Sequence, residues 1–460
     1  MQAEQSPQIE VESFLNELPF TSFHWLVFAL CLAVVMLDGF DTAAIGYVAP
    51  SLVSEWHVAK PDLGPVLSAA LFGLAGGALS AGPLADQLGR KNVLIGAIVV
   101  MGASSLLAAE AGDLTRLMIW RFATGLGLGA AMPNAVTLMS EYCPFRMRSL
   151  VTNAMFCGFP LGASLGGFLA AWMIPQFGWR SVLALGGVAP LALAAAAFFF
   201  LPESARYLVA RNYPAERIRA VLMRLSGAAS EARSFILRER KLRDSSQGKT
   251  GLALILSPTF LVGSLMLWTA YFMGLVIFYG LINWLPLLLK ETGLSAPQAA
   301  MITALFPLGG VGALYFGWLM DRHNANVVVA AGYLLTALCV YLVGQSAGAL
   351  LVLAVFAAGL VMNTAQTSLP SLAAAFYPTQ GRASGVAWMM GIGRFGGIAG
   401  SFLVAELTRR ELALGDIFLV VAAPALVAAA AIVIKQVASP HAESERSEGR
   451  ASALTERPRR

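Results

Sequence analysis

SFHWLVFALCLAVVMLDGFDTAAIGYV, residues 22–48, runs 27 positions with only two Asp, Glu, Lys or Arg side chains, Asp38 and Asp41. An α-helix rises about 1.5 Å per residue, so roughly 20 apolar residues cross the hydrocarbon layer of a bilayer. Eleven further runs of this kind follow, at 63–83, 92–110, 114–139, 149–173, 180–200, 258–285, 297–319, 327–345, 349–370, 383–405 and 414–435. Lys, Arg, Asp and Glu make up 12% of the 460 residues, and hydrophobic residues 57%. A soluble domain carries about 25% charge, and no soluble fold of this size hides so much apolar side chain. These numbers exclude a soluble enzyme, a nucleic-acid binder and a disordered chain. A barrel is excluded too, since its strands would alternate polar and apolar residues. The chain reads as an all-α polytopic membrane protein with twelve transmembrane helices.

The long polar segment, 201–257, divides these runs six and six. It holds eleven Lys/Arg against five acids, and loops on its side add GRK at 89–91, FRMR at 145–148, Arg322, Arg382 and a basic tail. The opposite loops are short and nearly balanced in charge. The positive-inside rule then places both termini and the linker in the cytoplasm. The expected organisation is a six-helix bundle over 1–200 after a short N-terminus, a cytoplasmic linker over 201–257, and a second bundle over 258–435. A disordered tail is expected over 436–460. Residues 1–20 contain four Glu and no Lys or Arg, which is not the pattern of a cleavable signal peptide.

Two landmarks recur at nearly one offset. Gly82-x-x-x-Asp86 returns as Gly317-x-x-x-Asp321, and Pro144-x-x-x-Arg148 as Pro378-x-x-x-Arg382, 235 and 234 positions later. Such a repeat argues for duplicated halves, a transporter plan with its site between them at the midplane. The four cysteines show no CxxC spacing and the four histidines no pairing, so metal and redox chemistry have no foothold.

Four charges lie well inside the runs: Asp38, Asp41, Arg121 and Arg394. At the bilayer centre each costs at least about 2.5–3.5 kcal/mol if it faces lipid, so each must face a cavity or a partner. Asp38 and Asp41 are three apart and share a helix face. Two acids so close resist double ionisation, which favours proton uptake near neutrality. The competing reading pairs one or both with Arg121 as a fixed salt bridge. Arg394 sits about eleven residues into its run, where a guanidinium can hold a carboxylate by two parallel bonds. It could equally pair with Asp38 or Asp41.

GPLADQLGRKNVL at 82–94 resembles the major facilitator superfamily's signature between its second and third helices, and RFATGLGLG at 121–129 resembles its RxxxGxG fourth-helix pattern. LDGFDT at 37–42 is similar to the first helix of the aromatic acid:proton symporter family. GLGLGAAMPNAVTLMSEYCPFRMR at 125–148, LPESARYL at 201–208 and YPTQGRASGVAWMMGIGRFGGI at 377–398 agree with it. The resemblance implies the major facilitator fold, two six-helix bundles, over essentially the whole chain. It implies proton coupling through Asp38, Asp41 and Arg121, and a cytoplasmic gate at Asp86, Arg90, Glu141, Arg148, Asp321 and Arg382. In the second half the loop signature is degenerate, GWLMDRHNA, keeping Asp321 and Arg322 but not the Gly-Arg-Lys ending.

A benzoate-like substrate needs a cation for its carboxylate and flat walls for its ring. Arg394 supplies the first; Tyr279, Trp284 and Trp388 are candidate walls, with Asn283, Asn363 and Gln366 as readers of ring hydroxyls. The glycines at four-residue spacing, Gly73/Gly77, Gly158/Gly162/Gly166 and Gly393/Gly397, read as helix contacts. The expected function is import of hydroxybenzoate-like acids by proton symport, with no cofactor beyond the proton gradient. The expected setting is a bacterial inner membrane and a working monomer whose partners are substrate, protons and lipid, with no nucleic acid. Rival branches are sugar or other organic-anion symporters and drug:proton antiporters. An enzyme would show a metal cluster or an activated nucleophile, and a receptor a folded soluble domain.

Overall fold

The apolar runs fold as helices in a computed structural model that describes residues 8–230, 232, 234–236, 252–312, 319–320, 322–377 and 379–438. The first part of the chain contains α1 (Val11–Glu17), α2 (Ser22–Trp56), α3 (Leu63–Leu88), α4 (Arg90–Ala109), α5 (Leu114–Tyr142), α6 (Phe145–Phe156), α7 (Gly158–Phe177) and α8 (Arg180–Phe200). Short helices follow in the polar segment, α9 (Ala205–Ala210), α10 (Ala215–Met223) and α11 (Leu252–Ile255). The remainder contains α12 (Pro258–Glu291), α13 (Ala296–Leu308), α14 (Ala325–Gln345), α15 (Gly348–Phe376), α16 (Thr379–Arg409) and α17 (Leu414–Ala438). Among the described residues, eleven helical segments are long and apolar enough to cross a membrane.

Two expected runs differ in detail. The run 149–173 is two helices, α6 and α7, meeting at Cys157. Pro160 stands in the first turn of α7, and a proline ring clashes with the carbonyl four residues back, here Phe156. The run 297–319 is α13 followed by a 3₁₀ turn, Gly309–Gly312. Pro307 and three glycines close behind it weaken regular α-helix there; residues 313–318 and Asp321 lie outside the described residues.

The chain forms two compact units, residues 1–244 with 293–304, and residues 245–292 with 305–460. In the first, α2 packs on α7, α8 and α5, while α5 also packs on α3 and α4. Small residues let these backbones touch: a Cβ added at Gly162 would strike the Met36 main chain, and at Gly73 or Gly77 the main chain of Phe122 or Leu126. Close packing of this kind holds helices together where lipid offers no hydrophobic drive. In the second unit, α12 packs on α16 and α17, and α14 on α15 and α17. There Gly393 and Gly397 lie against the rings of Tyr271 and Tyr279.

A short parallel pair joins distant parts of the first unit, Gln8–Glu10 beside Ser234–Ile236. Glu10 then caps α1, accepting from the Glu12 and Ser13 amides at 3.3 and 2.7 Å. Asn16 at the end of α1 accepts from the Phe145 amide at 2.9 Å, and Glu12 pairs with Arg206 at 3.4 Å. The polar segment is thereby tied to the start of α6.

Candidate coupling and substrate sites

The two acids of α2 have different partners. Arg121 of α5 reaches Asp41 through Nη1, which lies 2.9 Å from Oδ1 and 2.8 Å from Oδ2, and through Nη2, 3.0 Å from the Asp41 carbonyl. Both residues are almost fully buried, Arg121 at 0% and Asp41 at 1% exposure. Ser105 of α4 completes the site, its hydroxyl 3.4 Å from Asp41 Oδ1 and 3.0 Å from the Leu183 carbonyl. Gly186 of α8 lies close by, where an added Cβ would crowd the Ser105 hydroxyl at 3.1 Å. The competing reading of the sequence, an acid held by Arg121, therefore describes Asp41. Asp38 is buried one turn earlier, with the Thr42 hydroxyl 3.5 Å from its Oδ1. Breaking a buried ion pair by removing one partner costs about 3–5 kcal/mol, so the Asp41–Arg121 contact is stable while both charges persist.

In the second unit Arg394 lies on α16 next to Gly393, against which the Tyr271 ring packs. Tyr271 falls within the electrostatic reach of Arg394 and shares a hydrogen bond with the Gln366 side chain. Gln366 also donates to the Tyr271 carbonyl at 3.3 Å and accepts from the Tyr333 hydroxyl at 2.7 Å. Gly274 gives this amide its space, because a Cβ there would strike Gln366 Oε1. Gln366, Tyr271 and Tyr333 thus form one polar cluster built from α12, α14 and α15, within the electrostatic reach of Arg394 on α16. Tyr271 and Tyr333 escaped the sequence reading because single tyrosines in apolar runs look like packing residues.

The other substrate candidates have contacts of their own. Asn283 donates to Ser401 Oγ at 2.9 Å, and Asn363 to the Phe306 carbonyl at 2.9 Å. Amides offered to ring hydroxyls by the sequence reading therefore already bind protein groups that tie helices together. Trp284 is fully buried with no hydrogen-bond partner for its Nε1 among the described residues, and Tyr279 is buried edge-on to Phe278. Trp388 is 45% exposed and stacks on Trp268 with centroids 6.2 Å apart.

The signature loop forms a third cluster, in the first unit. Arg90 pairs with Asp86 at 3.1 Å and Glu141 at 3.5 Å, and its guanidinium lies 5.2 Å from the Tyr207 ring centroid. Glu203 Oε1 accepts the amides of Arg90, Lys91 and Ser204 at 3.0, 3.2 and 2.9 Å, which caps α4. Burial holds the Glu203 carboxyl above the usual glutamate range, against the pull of those amides and of Arg90. Gly89 turns the chain at φ +96°, where a Cβ would meet the same carboxylate. Tyr207 donates to the Gln87 carbonyl at 2.9 Å, and Arg211 to that of Asp86 at 3.1 Å. Residues 201–208, LPESARYL, form the surface that holds the loop. Arg148 lies over the Phe145 ring at 5.7 Å, and its Nε and Nη2 are buried without a partner among the described residues. In the second unit Arg382 has its Nε in the same state.

Comparison with known proteins agrees with this architecture. The family model of the Major Facilitator Superfamily matches residues 31–401 and 267–459. The D-xylose-proton symporter structure superposes with a TM-score of 0.70 at 16% identity, over 89% of this chain and 97% of that one. The protein is a membrane transporter of the major facilitator fold. The 4-hydroxybenzoate transporter PcaK of Pseudomonas putida is 48% identical over 95% of this chain and 97% of its own length. The gallate transporter of the same organism is 46% identical over 92% of this chain and 94% of its own. The benzoate transport protein of Acinetobacter baylyi is 31% identical over 92% and 91%. The chain belongs to the aromatic-acid transporter family of the major facilitator superfamily.

Proposed function

We propose that this protein imports hydroxybenzoate-like aromatic carboxylates by proton symport with alternating access. The observation that carries the coupling is the buried Asp41–Arg121 pair with Asp38 one turn away. A proton arriving at Asp41 converts a charged acceptor into a neutral acid and weakens its hold on Arg121, so that protonation and helix position are linked. Asp38 is the alternative carrier on the same face. Arg394 holds the substrate carboxylate, with the Tyr271–Gln366 cluster fixing its surroundings. The names of the relatives support the substrate class.

The charge asymmetry of the loops supports a bacterial inner membrane as the location, with both termini cytoplasmic. Asp86, Arg90, Glu141 and Arg148 act as gate residues of the first half, and Asp321 and Arg382 as those of the second. The protein works as a monomer and needs no cofactor besides the proton gradient. The test is uptake of labelled 4-hydroxybenzoate and a panel of benzoates, with and without a proton uncoupler. Accumulation that collapses with the uncoupler is expected. Uptake indifferent to it would reject symport, and uptake of sugars without any aromatic acid would reject the substrate class.

A further inference from the structure

At the end of α8 three consecutive phenylalanines, Phe198, Phe199 and Phe200, are 61, 70 and 55% exposed. Cations gather around them. Lys91, at the start of α4, donates to the Phe198 carbonyl at 2.8 Å and sits 5.6 Å from the Phe198 ring centroid. Arg224, just past α10, reaches the Phe200 carbonyl at 3.5 Å. Arg217 on α10 lies over the Tyr213 ring at 5.1 Å, and both arginines act electrostatically on Lys91. The acid that acts on Lys91 is Glu203, and three main-chain amides already occupy its Oε1.

We infer that Lys91, Arg217 and Arg224, with Phe198–Phe200 beside them, form a binding site for the headgroup of an anionic phospholipid. Three like charges held together repel one another, and an anion between them removes that repulsion. The neighbouring Phe rings belong among acyl chains at the end of a membrane-crossing helix, which places the cations at headgroup level. Lipid supplies both halves of this surface, a negative head and an apolar tail, whereas a free anion meets only the cations. The site shares no residue with the Asp41–Arg121 pair or with Arg394 and is read out without transport, so its failure is separable from failure of the symport reading.

The experiment is native mass spectrometry and thermal unfolding of the full chain in detergent with added phosphatidylglycerol, phosphatidylcholine or inorganic phosphate. Saturable phosphatidylglycerol binding that raises the melting temperature is expected. The K91Q/R217Q/R224Q variant should bind it at least tenfold more weakly, while Arg116→Gln, at the start of α5, should match the wild type. If the triple variant does not fold, R217Q/R224Q, on and just past α10, keeps the test, with a smaller loss of affinity expected. Equal binding of phosphatidylcholine, unchanged affinity in these variants, or displacement of phosphatidylglycerol by inorganic phosphate would each overturn the assignment.

Discussion

Arg121 holds Asp41 by both carboxylate oxygens and by its main-chain carbonyl, so one guanidinium fixes both the charge and the backbone of α2. Asp41→Asn leaves that guanidinium buried opposite a neutral amide. A loss of about 3–5 kcal/mol in stability is expected, together with loss of proton-driven accumulation. Arg121→Lys keeps the charge but not the planar fork, and should resemble the loss of the pair more than the wild type. Uptake assays paired with thermal unfolding check both; an unchanged melting temperature in Asp41→Asn would contradict the assignment.

Tyr271 packs against Gly393, the chain neighbour of Arg394, so its hydroxyl tests whether this cluster positions that cation. Tyr271→Phe keeps the ring against Gly393 and removes the hydroxyl from the Gln366 cluster. A net hydrogen bond of about 0.5–1.5 kcal/mol corresponds to a rise in KM for the aromatic carboxylate of roughly two- to tenfold, with maximal rate little changed. Arg394→Ala removes the cation itself and should abolish saturable uptake. A Tyr271→Phe variant with unaltered KM but reduced maximal rate would assign the residue to another step.

Glu203 adds a pH dependence. Its folded-state carboxyl titrates above the ordinary glutamate range because it is buried. A raised pKa means that its contribution to stability is complete below the unfolded-state value and is lost as pH rises through the folded-state value. Stability should therefore decline over that window, and Glu203→Gln, which keeps an oxygen for the Arg90 and Lys91 amides, should flatten the decline. Melting temperatures measured across the window for both proteins decide it.

Gly89→Ala imposes two penalties at once, a Cβ at φ +96° and a collision with the Glu203 carboxylate. Backbone strain of this kind costs about 1–3 kcal/mol. Gly162→Ala, which drives a Cβ into the Met36 main chain, should cost a similar amount by separating α2 from α7. Gly82→Ala, with open space around its Cβ, is the control and should melt with the wild type apart from helix propensity. Equal melting temperatures for Gly162→Ala and Gly82→Ala would deny the close approach.

Much of the site was legible because charge inside an apolar run stands out: Asp38, Asp41, Arg121 and Arg394 each violate the pattern around them. Partner choice was not legible. Asp38 and Asp41 are equivalent by spacing, and only the approach of α5 and α4 to one turn of α2 gives Arg121 and Ser105 to Asp41. Tyr271 and Tyr333 were hidden for the opposite reason, since a tyrosine does not break an apolar pattern. Glu203 lay in a quoted motif, but its task required Gly89 to bring the α4 amides against it.

By itself the sequence determined the membrane class, the helical spans and the family, because hydrocarbon thickness and the cost of unsatisfied backbone permit few alternatives. Tertiary structure decided which acid Arg121 holds, which aromatic packs against Gly393 next to Arg394 in the chain, and what holds the signature loop. Those outcomes depend on ångström-scale approach of helices distant in the chain, and a one-dimensional pattern of polarity does not contain such distances.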